Sequence, residues 1–188
     1  MLKRNMFLID FETTGLNPET DYPIEIGLLV LNRKLKILDT FECLIEWGEL
    51  IQEHENLNNW KENYQGAFKV HNISIQEYKE NTSKLFWSTV VQALNGLAHK
   101  YKIDNFYKPV FVSDNSIFEF QFLKKMYSAF GLNIFDYFHF SVYDTSLLLH
   151  NCETARDPIS VHRAMGDVKM LYDELRKAYK ELNWPLED

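Results

Sequence analysis

Cysteine is scarce in this chain: Cys43 and Cys152 stand alone, one each side of the middle, with no CxxC pair. That excludes a disulfide scaffold, argues against a structural zinc site, and fits a reducing, cytoplasmic setting. Positive charge is also short, since 20 Lys plus Arg against 27 Asp plus Glu leave a formal net charge of −7. Proteins that wrap nucleic acid by neutralising many phosphates carry the opposite balance. An acidic enzyme that gathers divalent cations and touches few phosphates is compatible with it. No apolar run approaches the roughly 18 residues of a membrane span, so no membrane partner is expected. The stretch MLKRNMFLIDFE meets Asp10 and Glu12 too early for the apolar region of a signal peptide. Repeats, low-complexity tracts and Pro/Gly/Ser-rich linkers are missing too, so residues 1–188 are expected to form one domain.

What is present is a substantial core-forming fraction, 46% hydrophobic, distributed in short periodic segments. Met6 to Phe11 reads as a buried strand, Ile24 to Leu31 as a second and Leu35 to Ile45 as a third. The tight polar turn Asn32-Arg33-Lys34 joins the last two, and such short connections imply an antiparallel meander. Thr13 to Pro18 is turn material, and Trp47 to Tyr78 reads as loops and short helices. Leu85, Phe86, Val90, Ala93, Leu94, Leu97 and Ala98 follow i, i+3, i+4 spacing. They predict a helix over Ser83 to Tyr101, with Asn81 or Thr82 as its N-cap. Pro109 to Ser113 reads as a buried strand, and Ile117 to Phe130 as a helix stopped by Gly131. Ser141 to Asp144 is a further short strand, followed by a helix from Thr145. A last helix carries Met165, Val168, Leu171, Leu175 and Ala178 on one stripe and ends before Pro185. Three antiparallel strands and then two parallel strands alternating with helices predict an α/β fold, a mixed sheet flanked by helices.

Candidate chemistry rests on carboxylates. Asp10 and Glu12 lie two apart at a strand end, so their side chains leave the same face. Two bare carboxylates beside a core repel unless a cation lies between them, and hard oxygen ligands select Mg²⁺ or Mn²⁺. The bland alternative is a solvated pair at a frayed strand end. His162 stands just before the final helix and Asp167 in its first turn, where an acid also simply favours the positive helix end. In Ser113-Asp114-Asn115-Ser116-Ile117-Phe118-Glu119, Asp114 or Asn115 suits an N-cap and Glu119 sits at capping-box spacing. Structure alone accounts for those residues as well. His54, His71, His99, His139 and His150 show no ligand spacing and read as surface or core residues. Trp60 and Tyr64 could stack on a base, but suit the core of an aromatic-rich chain better.

Taken together, FLIDFETTGLNP, YPIEIG, DNSIFEFQFL, YDTSLL and HRAMGD occur in an order and spacing that resembles the DEDDh 3′–5′ exonucleases. Within that superfamily, TGLNPETDYPIEIG, NNWKENYQG and YFHFSVYDTSLL are most similar to oligoribonuclease, while FKVHNISIQEY is similar to the proofreading branch. The resemblance implies a ribonuclease-H-like fold with an acidic cluster at one edge of the sheet. It implies a nuclease that releases nucleoside 5′-monophosphates from the 3′ end of short single-stranded RNA or DNA, oligoribonucleotides favoured. Position by position, it makes Asp10, Glu12, Glu119 and Asp167 the ligands of two Mg²⁺ or Mn²⁺ ions and His162 the general base. Thr13, Thr14, Leu16, Asn115, Ser116 and Ser146 fall on substrate-contacting positions. Leu16 matches a wedge between the last two bases; its other reading is a core anchor for the turn. The chain departs from the pattern with Glu119 where an Asp is usual. It departs again at Ser141 and Phe140, where a dinucleotide grip has Arg and Tyr. Rival readings are a DNA-directed proofreading or repair exonuclease and a non-catalytic module that kept the fold. A homodimer is among the assemblies the resemblance allows.

Overall fold

Apolar residues fill Met6 to Ile9 and recur at Phe11, and this strand, Met6–Thr13 (β1), lies inside the sheet, buried along nearly its whole length. The computed structural model describes residues 4–46, 60–104, 106–146, 149, 152 and 162–183. Strands β2 (Pro23–Leu31) and β3 (Ile37–Glu46) continue from β1 as the expected antiparallel meander, with Asp10 opposite Gly27 and Glu12 opposite Glu25. Helices α1 (Trp60–Val70) and α2 (Ile75–Glu80) follow, then β4 (Leu85–Phe86) and α3 (Trp87–Tyr101). Next come β5 (Val110–Ser113), α4 (Ser116–Ser128), a 3₁₀ turn (Ile134–Asp136), β6 (Val142–Asp144) and α5 (Ala164–Glu181). The six strands stand in the order β4-β3-β2-β1-β5-β6, with β5 parallel to β1 and β6 parallel to β5. The fold is thus α/β, a mixed ribonuclease-H-like sheet flanked by helices.

Alternation along β1 assigns its two faces. Phe7, Ile9 and Phe11 join a core built with α3, α4 and residues Phe68, Ile73 and Tyr78. Met6 and Leu8 join a second core with Val168, Leu171, Leu175 and Ala178 of α5. Burying each large aliphatic side chain there contributes about 1.5–3 kcal/mol, which docks α5 on the face that Asp10 and Glu12 share.

Several expectations need correction. Leu85 and Phe86, expected inside a helix, pair in parallel with Ile45 and Glu46 as a sixth strand. The helix therefore starts at Trp87, without a side-chain cap, while the Asn81 side chain accepts from the Ser83 N–H at 2.8 Å. Leu35 belongs to the turn before β3, not to the strand. Its φ is +56°, and the Asn32 side chain accepts from the N–H groups of Lys34 and Lys36 at 2.9 Å each. Helices α1 and α2 agree with the loops and short helices expected over Trp47 to Tyr78, and residues 47–59 lie outside the described ones. The helix expected from Thr145 also lies largely outside them, as do His54, His150 and the side chain of Trp60. Tyr64 packs against the first core, as expected. Among the described residues no helix is long and apolar enough to cross a membrane.

Candidate functional site

The site forms where β1 outruns its parallel neighbour. Strand β5 pairs with β1 only as far as Leu8, opposite Val112, whereas β2 accompanies β1 to Thr13. Past that point Asp10 and Glu12 project toward the start of α5. One oxygen from each of Asp10, Glu12 and Asp167 lies within 4.8 Å of the others. Two residues of β2 make this approach possible. A Cβ on Gly27 would stand 2.5 Å from the Ala164 carbonyl carbon and the Met165 nitrogen, so only glycine lets the helix start rest on the strand. Glu25, beside it, accepts from the Ala164 N–H at 3.0 Å and from Arg163 through Nε, at 3.1 Å to each oxygen, and Nη2, at 2.6 Å. Arg163 stands at the N-cap position and makes no side-chain cap, so Glu25 supplies an acceptor for the helix end from outside. Both residues were visible in the sequence only as part of YPIEIG.

These carboxyls sit in an environment that resists their charge. Burial pushes Asp10 well above the usual carboxylate range, and the negative charges of Glu12, Asp167, Glu25 and Asp114 push it further. Burial does the same to Glu119, with Asp10, Glu12 and Asp114 adding to it, while the Phe11 N–H donates to the carboxyl and pulls the other way. Glu12 and Glu119 are 5% and 6% exposed. Glu12 Oε1 and Glu119 Oε2 find no hydrogen-bond partner among the described residues. Buried acceptors of one sign without donors are costly, and a hard divalent cation is the ligand that such a set fits. The capping reading of Glu119 does not hold. Asn115 occupies the N-cap position without a side-chain bond, and Glu119 turns inward to β1 instead of back to the helix end.

The other expected residues divide into two groups. His162 is exposed, with a left-handed φ of +48°, immediately before Arg163 and the start of α5. Leu16 is 84% exposed, which overturns the core-anchor reading and leaves an apolar side chain presented at the turn. The turn is held instead by its polar residues. Thr13 Oγ1 donates to the Gly15 carbonyl at 2.6 Å, and Asp21 accepts from the Asn17 N–H at 2.8 Å and from the Thr14 hydroxyl at 3.4 Å. Ser116 and Ser146 do converge, but on Asp144. Its carboxylate accepts from the backbone N–H and hydroxyl of both serines, with both Ser116 bonds at 3.0 Å. Partial burial would raise the Asp144 pKa, yet these four donors outweigh it and hold the carboxyl below its usual range.

One residue escaped the sequence reading. His71, taken for a surface or core residue, puts Nδ1 against Glu12 Oε2 as an ion pair, off the axis of an aligned hydrogen bond, and Nε2 at 2.9 Å from the Thr13 carbonyl. Burial pulls its pKa down, but Glu12 and the Thr13 carbonyl outweigh that and hold it above the usual histidine value. No spacing announces a contact spanning 58 positions.

Strand order defines a ribonuclease-H-like fold, and the acidic cluster is a candidate cation site on it. The chain belongs to the Exonuclease family, whose model RNase_T matches residues 7–175. Among solved structures it is similar to Escherichia coli exonuclease I in complex with a dT13 oligonucleotide. That match has 13% identity and a TM-score of 0.69, and covers 96% of this chain and 42% of that one. It is similar also to a product-bound exonuclease I, with 13% identity, a TM-score of 0.70, and coverage of 96% and 44%. A zinc-bound complex of the E. coli enzyme with single-stranded DNA matches at 14% identity and a TM-score of 0.65, with coverage of 97% and 42%. The chain thus spans less than half the length of these structures. No curated protein matches.

Proposed function

We propose that this chain is a metal-dependent 3′–5′ exonuclease, a single domain that hydrolyses the last phosphodiester bond of single-stranded nucleic acid and releases nucleoside 5′-monophosphates. The observation that carries the proposal is the convergence of Asp10, Glu12 and Asp167 oxygens within 4.8 Å, beside a buried Glu119 oxygen that lacks a partner. In this reading Asp10, Glu12 and Asp167 hold divalent cations, Mg²⁺ or Mn²⁺, with Glu119 supporting a second ion. Bound there, such ions stabilise charge on the phosphate and make water a better nucleophile. His162 accepts the proton of the attacking water through a ring nitrogen, the general-base role. Leu16 offers its exposed side chain to separate the terminal bases, and Ile117, 72% exposed in the first turn of α4, offers a second apolar surface beside Asn115.

The geometry bears on substrate length. Ser116 and Ser146 would be the grip on a 5′ phosphate, but Asp144 engages both and adds a negative charge there. A carboxylate repels a phosphate, so the reading favours strands longer than a dinucleotide. Single-stranded DNA is the preferred substrate, in keeping with the oligonucleotides held by the similar exonuclease I structures. Oligoribonucleotides are the second reading, favoured by the stretch TGLNPETDYPIEIG. One copy of the chain suffices for all of these roles. The test compares 5′-labelled DNA and RNA, as dinucleotides and as longer strands, with Mn²⁺ and with EDTA. Shortening of long DNA from the 3′ end, absent in EDTA, is expected. Faster turnover of RNA dinucleotides would select the second reading, and no cleavage of any strand would leave a non-catalytic module.

A further inference from the structure

We infer that His71 is a positioning residue for the Glu12 carboxylate, fixing one oxygen so that the other is left for a cation. The inference rests on the reading of Asp10, Glu12 and Asp167 as a cation site. His71 is itself firmly held. Its N–H donates to the Ala67 carbonyl at 2.9 Å, and the chain then turns through Asn72 at φ +52° to Ile73, whose N–H donates to the Phe68 carbonyl at 3.1 Å. Phe68 and Ile73 are both buried in the first core. A ring anchored in this way reaches β1 at two successive residues, through Nδ1 to the Glu12 side chain and Nε2 to the Thr13 carbonyl. The β1–β2 register shifts between those same two residues, so the ladder alone does not fix them. The Thr13 contact is enough to staple α1 to the strand. The Glu12 contact does something more, because it engages Oε2 and leaves Oε1 without a hydrogen-bond partner among the described residues. Groups that orient a ligating carboxylate commonly change metal affinity about 10–100-fold when removed.

Amide substitutions separate the two contacts, because the Asn nitrogen falls near the place of Nδ1 and the Gln nitrogen near that of Nε2. Mn²⁺ binding to the full chain, without nucleic acid, is read from the electron paramagnetic resonance of free Mn²⁺, with melting temperature recorded in parallel. His71→Gln and His71→Ala should weaken binding by roughly tenfold or more, while His71→Asn, which keeps a donor beside Glu12 Oε2 but loses the charge, should weaken it less. Wild-type affinity in His71→Gln, or equal weakening in His71→Asn and His71→Gln, would overturn the inference, and this pair decides the matter even if His71→Ala does not fold. Asp10→Asn serves as the control. Undiminished Mn²⁺ binding by that variant, or none by wild type, would overturn the cation site and the inference with it. Weak binding by Asp10→Asn with no effect of His71→Gln would overturn the inference alone.

Discussion

The surroundings of Asp10 disfavour its charge, since burial and four acidic neighbours all favour its neutral form. Asp10→Asn keeps the shape and removes the charge. In EDTA it should raise the melting temperature by about 2–4 °C, the equivalent of roughly 1 kcal/mol in a chain of this size, while hydrolysis is lost. Calorimetry beside an activity assay checks both, and a lower melting temperature would speak against repulsion. Glu119 poses the complementary question, because its length differs from the Asp usual at that place. Its carboxyl takes the Phe11 N–H at the point where β1 has outrun β5. Glu119→Asp withdraws the acceptor by one methylene and strands that N–H, a loss of about 1–3 kcal/mol. Activity should fall modestly. A variant tenfold faster than wild type, about 1.4 kcal/mol of barrier, would mark Glu119 as damage instead of adaptation.

Among the elements, α5 and β2 depend on each other most closely. Gly27→Ala drives a methyl into the backbone of Ala164 and Met165, neither of which yields as a flexible side chain would. The expected destabilisation is about 1–3 kcal/mol, and Mn²⁺ affinity should fall with it because the displaced helix carries Asp167; thermal melts and metal titration read the two effects. A second junction, between β3 and α3, should respond to pH. Asp39 accepts from the Lys100 ammonium at 2.9 Å and the Tyr101 hydroxyl at 2.8 Å, which hold its carboxyl below the usual range. A depressed folded-state value gives stability that is complete above the unfolded value, about 3.9, and is lost as pH falls through the folded one. Asp39→Asn should therefore melt slightly lower than wild type at neutral pH, a small effect because the pair is exposed. The difference should close as pH falls below the unfolded value and through the depressed folded one.

Over the whole molecule, what the sequence disclosed follows from how local each signal is. The meander, β5, α4 and α5 were legible because apolar period and turn residues report within a few positions, and Asp10 and Glu12 share a face by strand geometry alone. Strand β4 was hidden because two residues carry no period, and its partner Ile45 lies 40 positions earlier. His71, Glu25 and the engagement of Ser116 and Ser146 by Asp144 were hidden because each is a contact between distant segments. Distance along the chain also sets the order of assembly. The site draws on positions 10, 12, 119 and 167, so its last member arrives only when α5 docks on β1 and β2. Non-local contacts of this span form late. In refolding from denaturant, helix ellipticity should therefore return before Mn²⁺ binding, and simultaneous recovery would contradict that order.

During synthesis the same arrangement delays the assembly of the acidic cluster. A ribosome makes roughly 5–20 residues per second, so for several seconds the emerging chain displays Asp10, Glu12 and Glu119 without Asp167 or His162. Throughout that interval the acidic cluster is incomplete, and the proposed cation site has not yet formed. The docking of a single helix completes the cluster, and a chain cut short before Ala164 would lack its Asp167.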